Sequence, residues 1–123
     1  MKQSSILFIL LTFLISCGSQ HSEGVQLNDG AKWQANAETT QGIANMVSLV
    51  TIAQQANSPN IAQLQRQLQE EFTMIFQKCS MKGEAHNQLH NFLHPLKGHI
   101  DNVSFKNLNE LAEYLDGYQR YFQ

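Results

Sequence analysis

The clearest periodicity in the chain lies between residues 61 and 79. Ile61, Leu64, Leu68, Phe72, Ile75 and Cys79 recur at steps of three or four, the spacing of one face of an α-helix. Gln63, Arg66, Gln67 and Glu70 take the opposite face. An earlier segment, about 37–56, carries Ile43, Met46, Val47, Val50 and Ala53 in the same rhythm, with Leu49 and Ile52 widening the stripe. Asn36 is placed to cap it, and Glu38 sits in the first turn, where the helix dipole favours an acid. Asn57-Ser58-Pro59 breaks the chain between these segments, with Ser58 as candidate N-cap and Pro59 at the first helical position. A third helix is expected between about 83 and 100, with Ala85, Leu89, Phe92, Leu93 and Leu96 as its apolar face. Pro95 inside that span predicts a kink or an early end near His94. A fourth helix starts near Ser104 and aligns Phe105, Leu108, Leu111, Ala112, Leu115, Tyr118 and Phe122. The connections are short, so neighbouring helices run antiparallel. Four such stripes bury one another most economically as an all-α, up-down-up-down four-helix bundle over residues 37–123.

Residues 25–36 do not share this period. Asn28-Asp29-Gly30 is a strong turn signal, flanked by Val25, Leu27 and Trp33. It predicts a short hairpin or a tucked arm that leans on the helices through Trp33, because two strands alone are marginal in water. Residues 17–24 read as a flexible polar tether.

The first sixteen residues have a different character. Lys2 precedes an apolar run from Ile6 to Ile15, too short to span a bilayer, which takes roughly 20 apolar residues, but suited to the hydrophobic region of a secretory signal. The run ends in Leu14-Ile15-Ser16-Cys17. This resembles the lipobox of bacterial lipoproteins. The resemblance implies cleavage before Cys17 and acylation of that residue, so that the membrane is a partner through the lipid. Several acyl chains anchor stably where one is marginal, each buried methylene contributing about 0.8 kcal/mol. Gly18, rather than an aspartate, follows the cysteine, which in such lipoproteins implies the outer membrane, facing the periplasm.

Charge narrows the range of partners. The 123 residues carry eight Lys and Arg against ten Asp and Glu, for a net charge of −2. The cations are scattered singly, which argues against nucleic acid as a partner. With Cys17 committed to lipid, Cys79 is left alone in an oxidising compartment, where a lone thiol is buried, paired with another chain or held by a metal.

Candidate chemistry concentrates in "CSMKGEAHNQLHNFLH", residues 79–94. Cys79 ends the apolar stripe of the second helix, and Gly83 eases the turn that follows. His86 and His90 are four apart on the third helix, hence on one face. At 3.6 residues per turn His86 lies roughly 60°, His90 roughly 100° and His94 roughly 140° from Leu89, so the first two can approach Cys79 and His94 faces solvent. Thiolate and imidazole donors suit zinc or copper, and the thioether of Met81 tilts the choice towards Cu(I). Cys79, Met81, His86 and His90 are therefore the candidate metal ligands. Trp33, Glu38, Tyr118 and Tyr121 are expected around them at the same pole. The spacing matches no common zinc finger and is not the Cys-x-x-Cys-His of covalent haem. The bundle resembles cytochrome b562 in architecture only, and non-covalent haem through His and Met or Cys is the weaker cofactor expectation. Cys79 and His86 can also be read as a nucleophile and base, but with no evident oxyanion donors the expectation is a protein without enzymatic activity. The simpler alternative is that Cys79 closes a hydrophobic stripe in an envelope adaptor that binds another protein. The mature region is also similar to small helical lipoproteins with a Cys-x-Met-Lys-Gly-Glu-x-His-x-x-Leu-His signature, matched by Cys79, Met81, Lys82, Gly83, Glu84, His86, Leu89 and His90. That resemblance implies a shared site without assigning it an activity.

Overall fold

The computed structural model of the chain describes residues 24–123; the expected signal segment, Cys17 and the tether up to residue 23 lie outside them. Four helices follow one another, α1 Ala37–Gln55, α2 Ile61–Lys78, α3 Gly83–Asp101 and α4 Leu108–Asp116. α1 packs on α2 and α4, and α3 packs on the same two, which gives a square, four-helix, all-α bundle. Side chains fix the direction of the neighbours. At one pole Gln54 near the end of α1 donates to Asn109 at the start of α4 (2.8 Å), and Gln65 near the start of α2 donates to the Asp101 carbonyl at the end of α3 (2.8 Å). At the other pole Asn36, just before α1, donates to the carbonyl of Lys78 at the end of α2 (3.2 Å). Among the described residues no helix is long and apolar enough to cross a membrane.

The stripes meet in one core. Met46, Leu68, Phe92 and Leu96 are wholly inaccessible, with Ile43, Val50, Leu64, Ile75, Leu89, Leu93, Ile100, Leu111, Leu115 and Phe122 around them. Burial of each such side chain is worth about 1.5–3 kcal/mol. The edges of the predicted stripes fall outside this core. Ile52 is 63% and Phe105 67% exposed, because each lies beyond the arc that a neighbouring helix covers.

Three local expectations are corrected. Pro95 does not end α3, which continues to Asp101; Leu96 and Ile100 beyond it are buried, and their burial offsets the roughly 3 kcal/mol that an interior proline costs. Ser58 does not cap α2. Asn60 does, its side chain accepting from the Gln63 amide (3.0 Å). The fourth helix is α-helical only over Leu108–Asp116, with 3₁₀ turns at Phe105–Asn107 and Gly117–Arg120 on either side. The final turn tightens because Tyr118 and Phe122 stack below the core (4.9 Å between centroids), while the backbone leaves the helix to pair with the arm.

That arm is a hairpin turn followed by an extended segment. Asn28 and Ala31 exchange both backbone hydrogen bonds at 2.9 Å, and Asp29 and Gly30 both have positive φ, the pattern of the tight hairpin turn. Trp33 then pairs parallel with Phe122, its amide donating to the Tyr121 carbonyl (2.7 Å) and its carbonyl accepting from Gln123 (2.9 Å). Val25 is buried in the core, so the arm is part of the bundle.

α1 and α2 approach most closely at Gly42. A Cβ there would stand 2.6 Å from Cγ1 of Ile75, an atom near the backbone of a buried, β-branched side chain that cannot swing away. Gly42→Ala is expected to destabilise the fold by about 1–3 kcal/mol through overpacking, against the gain of about 1 kcal/mol that alanine brings to a helix interior. Denaturant unfolding of Gly42→Ala, Ile75→Ala and the double variant should show the double to be less destabilised than the sum of the singles; strict additivity would contradict the close approach.

Candidate functional site

The chain between α2 and α3 is only Cys79 to Lys82. Gly83 opens α3 with φ of 64°, a conformation other residues adopt at a cost. This sharp reversal sets the end of the α2 stripe against the first turns of α3. Cys79, half-buried and unpaired in any disulfide, places Sγ 3.6 Å from Nδ1 of His86. The other nitrogen of that ring, Nε2, lies 3.0 Å from Nε2 of His90.

The three side chains therefore form a chain, Cys79–His86–His90, with the His86 imidazole in the middle. They do not surround one point. Among the described residues no three His, Cys, Asp or Glu side chains gather as a set able to hold one metal ion. A neutral imidazole carries one hydrogen, so His86 can donate to only one neighbour at a time. With the hydrogen on Nε2, Nδ1 presents a lone pair to the thiol; with the hydrogen on Nδ1, Nε2 presents its lone pair towards His90. His94, one turn further along α3, is exposed and makes no side-chain hydrogen bond, ion pair or ring contact with the described residues. Met81 lies in the turn, half-buried against the core.

Aromatic rings wall one side of this chain. Phe76 stands edge-on to His90 (5.4 Å between centroids) and packs on Phe72 (5.0 Å). The sequence pattern assigned Phe72 to the core face and gave Phe76 no role; its spacing of three from Cys79 and four from Phe72 is the signal that places it here. Phe76 keeps 45% of its surface exposed, so the wall is open to solvent.

Of the four residues expected around the site, Tyr118 lies close enough to Cys79 to feel its charge. Tyr118 is buried and its hydroxyl lies 3.0 Å from Oγ1 of Thr40. Burial pushes its phenol above the ordinary value, the Thr40 bond opposes this, and the neighbouring Cys79 adds to the rise. Glu38 accepts from Asn36 Nδ2 (2.9 Å), and the same amide reaches the Lys78 carbonyl beside Cys79. The Asn36 bond, first of all, holds the Glu38 carboxyl below the usual range. Asn36 is thus a strut between helices, and its carbonyl oxygen Oδ1 accepts from the Thr39 hydroxyl (2.7 Å) in place of a backbone amide. Trp33 and Tyr121 also hold the arm: the Trp33 indole donates to the Gln26 carbonyl (2.6 Å), and the Tyr121 carbonyl accepts from the Trp33 amide.

Gln88, which the sequence pattern left unremarked, fastens the arm to the site helix. It is buried, accepts from the Gln26 amide (2.8 Å) and donates to Glu84 (2.7 Å). This bond, followed by one from Asn87, holds the Glu84 carboxyl below its ordinary value. A carboxyl with a depressed folded-state pKa adds stability above its unfolded pKa, and that stability is lost as pH falls through the folded pKa. Gln88→Ala is expected to raise the Glu84 pKa towards the ordinary range in an NMR titration and to speed exchange of the Gln26 amide. An unchanged Glu84 titration with an unchanged Gln26 amide would show that Gln88 is not the fastening.

No protein family, no curated protein and no solved structure matches this chain.

Proposed function

We propose that this chain is a lipid-anchored protein of the bacterial cell envelope that binds a cuprous ion between Cys79 and His86, for storage, delivery or sensing of copper. The observation that carries the reading is the 3.6 Å between Cys79 Sγ and His86 Nδ1. For an ion that also takes a third donor, such as the Met81 thioether, metal–thiolate and metal–imidazole bonds of about 2.3 and 2.0–2.1 Å at angles between tetrahedral and trigonal put these two donors roughly 3.6–3.8 Å apart. An ion can therefore replace the thiol hydrogen with little movement of either side chain. His90 then acts on the imidazole from behind. With Nδ1 on the metal, His86 carries its hydrogen on Nε2 and donates it to His90, the kind of support that orients a ligating histidine and fixes its tautomer.

The donor set favours copper over zinc. Structural zinc takes four ligands of the Cys, His and carboxylate kinds, and here such donors meet only in pairs. Cu(I) accepts soft thiolate and thioether donors, and Met81, two residues after Cys79, is the thioether nearest in sequence. The lipid anchor rests on the lipobox-like Leu14–Cys17 segment. The role proposed is binding, without enzymatic activity.

Reduced full-length protein in detergent, given Cu(I) under anaerobic conditions, is expected to retain about one equivalent after a weak competitor is applied. Cys79→Ala and His86→Ala should each abolish retention, and His94→Ala should leave it intact. No uptake by the wild type, or uptake that survives both Cys79→Ala and His86→Ala, would overturn the reading.

A further inference from the structure

The second half of the chain of side chains has a geometry of its own. We infer that His86 and His90 form a distinct chelate for a divalent transition-metal ion, and that this chelate competes with the Cys79–His86 site because both use the His86 ring. The chelate stands on its own geometry, while the competition rests on the Cu(I) reading above.

Two imidazole nitrogens 3.0 Å apart and each about 2.0–2.1 Å from a common ion subtend an angle of roughly 90–97° at that ion. This is the angle between adjacent positions of an octahedral or square-planar ion, and it is narrower than a tetrahedral ion prefers. Imidazole pairs in tetragonal geometry suit Ni(II) and Cu(II). Two histidines four apart on one helix face are an established way to hold a metal, and here the side-chain rotamers already bring Nε2 to Nε2. The ion would replace the one hydrogen these atoms share. His90 is exposed, which leaves the remaining coordination positions to water. Phe76 packs edge-on to His90 (5.4 Å between centroids).

The two sites demand opposite tautomers of His86. A divalent ion on Nε2 leaves the hydrogen on Nδ1, where it is donated to Cys79 Sγ. A cuprous ion on Nδ1 leaves the hydrogen on Nε2, where it is donated to His90. Each ligand of one site thus becomes the hydrogen-bonded support of the other. An imidazole holding one hydrogen cannot serve both ions, so each ion weakens the other, and by thermodynamic reciprocity it does so by the same factor.

The test uses Ni(II), which does not oxidise the thiol, titrated into reduced full-length protein in detergent, with circular dichroism to verify that each variant keeps its helices. Wild type, Cys79→Ser and His94→Ala should bind one Ni(II), and His86→Ala and His90→Ala should lose it. Zn(II) should bind more weakly than Ni(II). Cu(I) loading should suppress Ni(II) binding at least tenfold in the wild type and have no effect in Cys79→Ser. Absence of Ni(II) binding in folded wild type, its persistence in folded His90→Ala, or its loss in His94→Ala would overturn the chelate. Simultaneous binding of both ions by the wild type would overturn the competition and leave the chelate standing. Cu(I) uptake unaltered by Cys79→Ser, with the Ni(II) pattern as expected, would sink the cuprous reading alone.

Discussion

Everything at the site follows from one reversal of direction. α2 must turn back into α3 within the four residues from Cys79 to Lys82, and the turn is closed by Gly83 in a left-handed conformation. So short a connection leaves little freedom in the register of the two helices. The last position of the α2 stripe has to face the first turns of α3, and the residue that meets it there is His86. The core enforces the same register from the other side, since Ile75 on α2 and Leu89 on α3 are both almost inaccessible. A slip of one residue would turn both into solvent. The Cys79–His86 approach therefore inherits its precision from packing, and not from any bond within the site.

The same packing decides how much chemistry the pole can perform. Cys79 and His86 are half-buried while His90 is exposed, so the chain of donors runs from the end of the core out to water. Tyr118 lies behind the thiol and is held by Thr40. Asn36 braces the end of α2 from the α1 side. The arm and the chain terminus close the pole through the pairing of Trp33 with Phe122, and Gln88 joins the arm to α3. The site is thus supported on three sides and open on the fourth, along the Phe76–His90 edge.

The helices were legible in the sequence because each is amphipathic and their stripes repeat at helical spacing. The placement of Cys79 at the end of the α2 stripe, and of His86 and His90 on one side of α3, follows from periodicity alone. What periodicity cannot supply is a contact between distant segments. The pairing of residues 33–35 with 121–123 is a backbone interaction with no signature in either stretch. Local propensity also misleads where burial overrides it. Pro95 argues for a helix end, but Leu96 and Ile100 keep the helix intact. Ser58 before Pro59 reads as a cap, but Asn60, an equally good capping residue, is the one whose side chain accepts from the Gln63 amide. At the site itself the residue types were legible, and the direction of each ring nitrogen was not. The arrangement of donors in a row, rather than around a point, depends on rotamers that only the packed structure sets.

The central claim is that His86 is a shared ring whose tautomer selects the site. The most direct measurement is a long-range ¹H–¹⁵N NMR spectrum of the histidine rings, recorded before and after loading with Cu(I). The account predicts that in the loaded protein Nδ1 of His86 shifts as a metal-bound nitrogen while Nε2 carries the hydrogen, and that both nitrogens of His90 remain free of metal. A cuprous ion found on Nε2 of His86, or on His90, would contradict it.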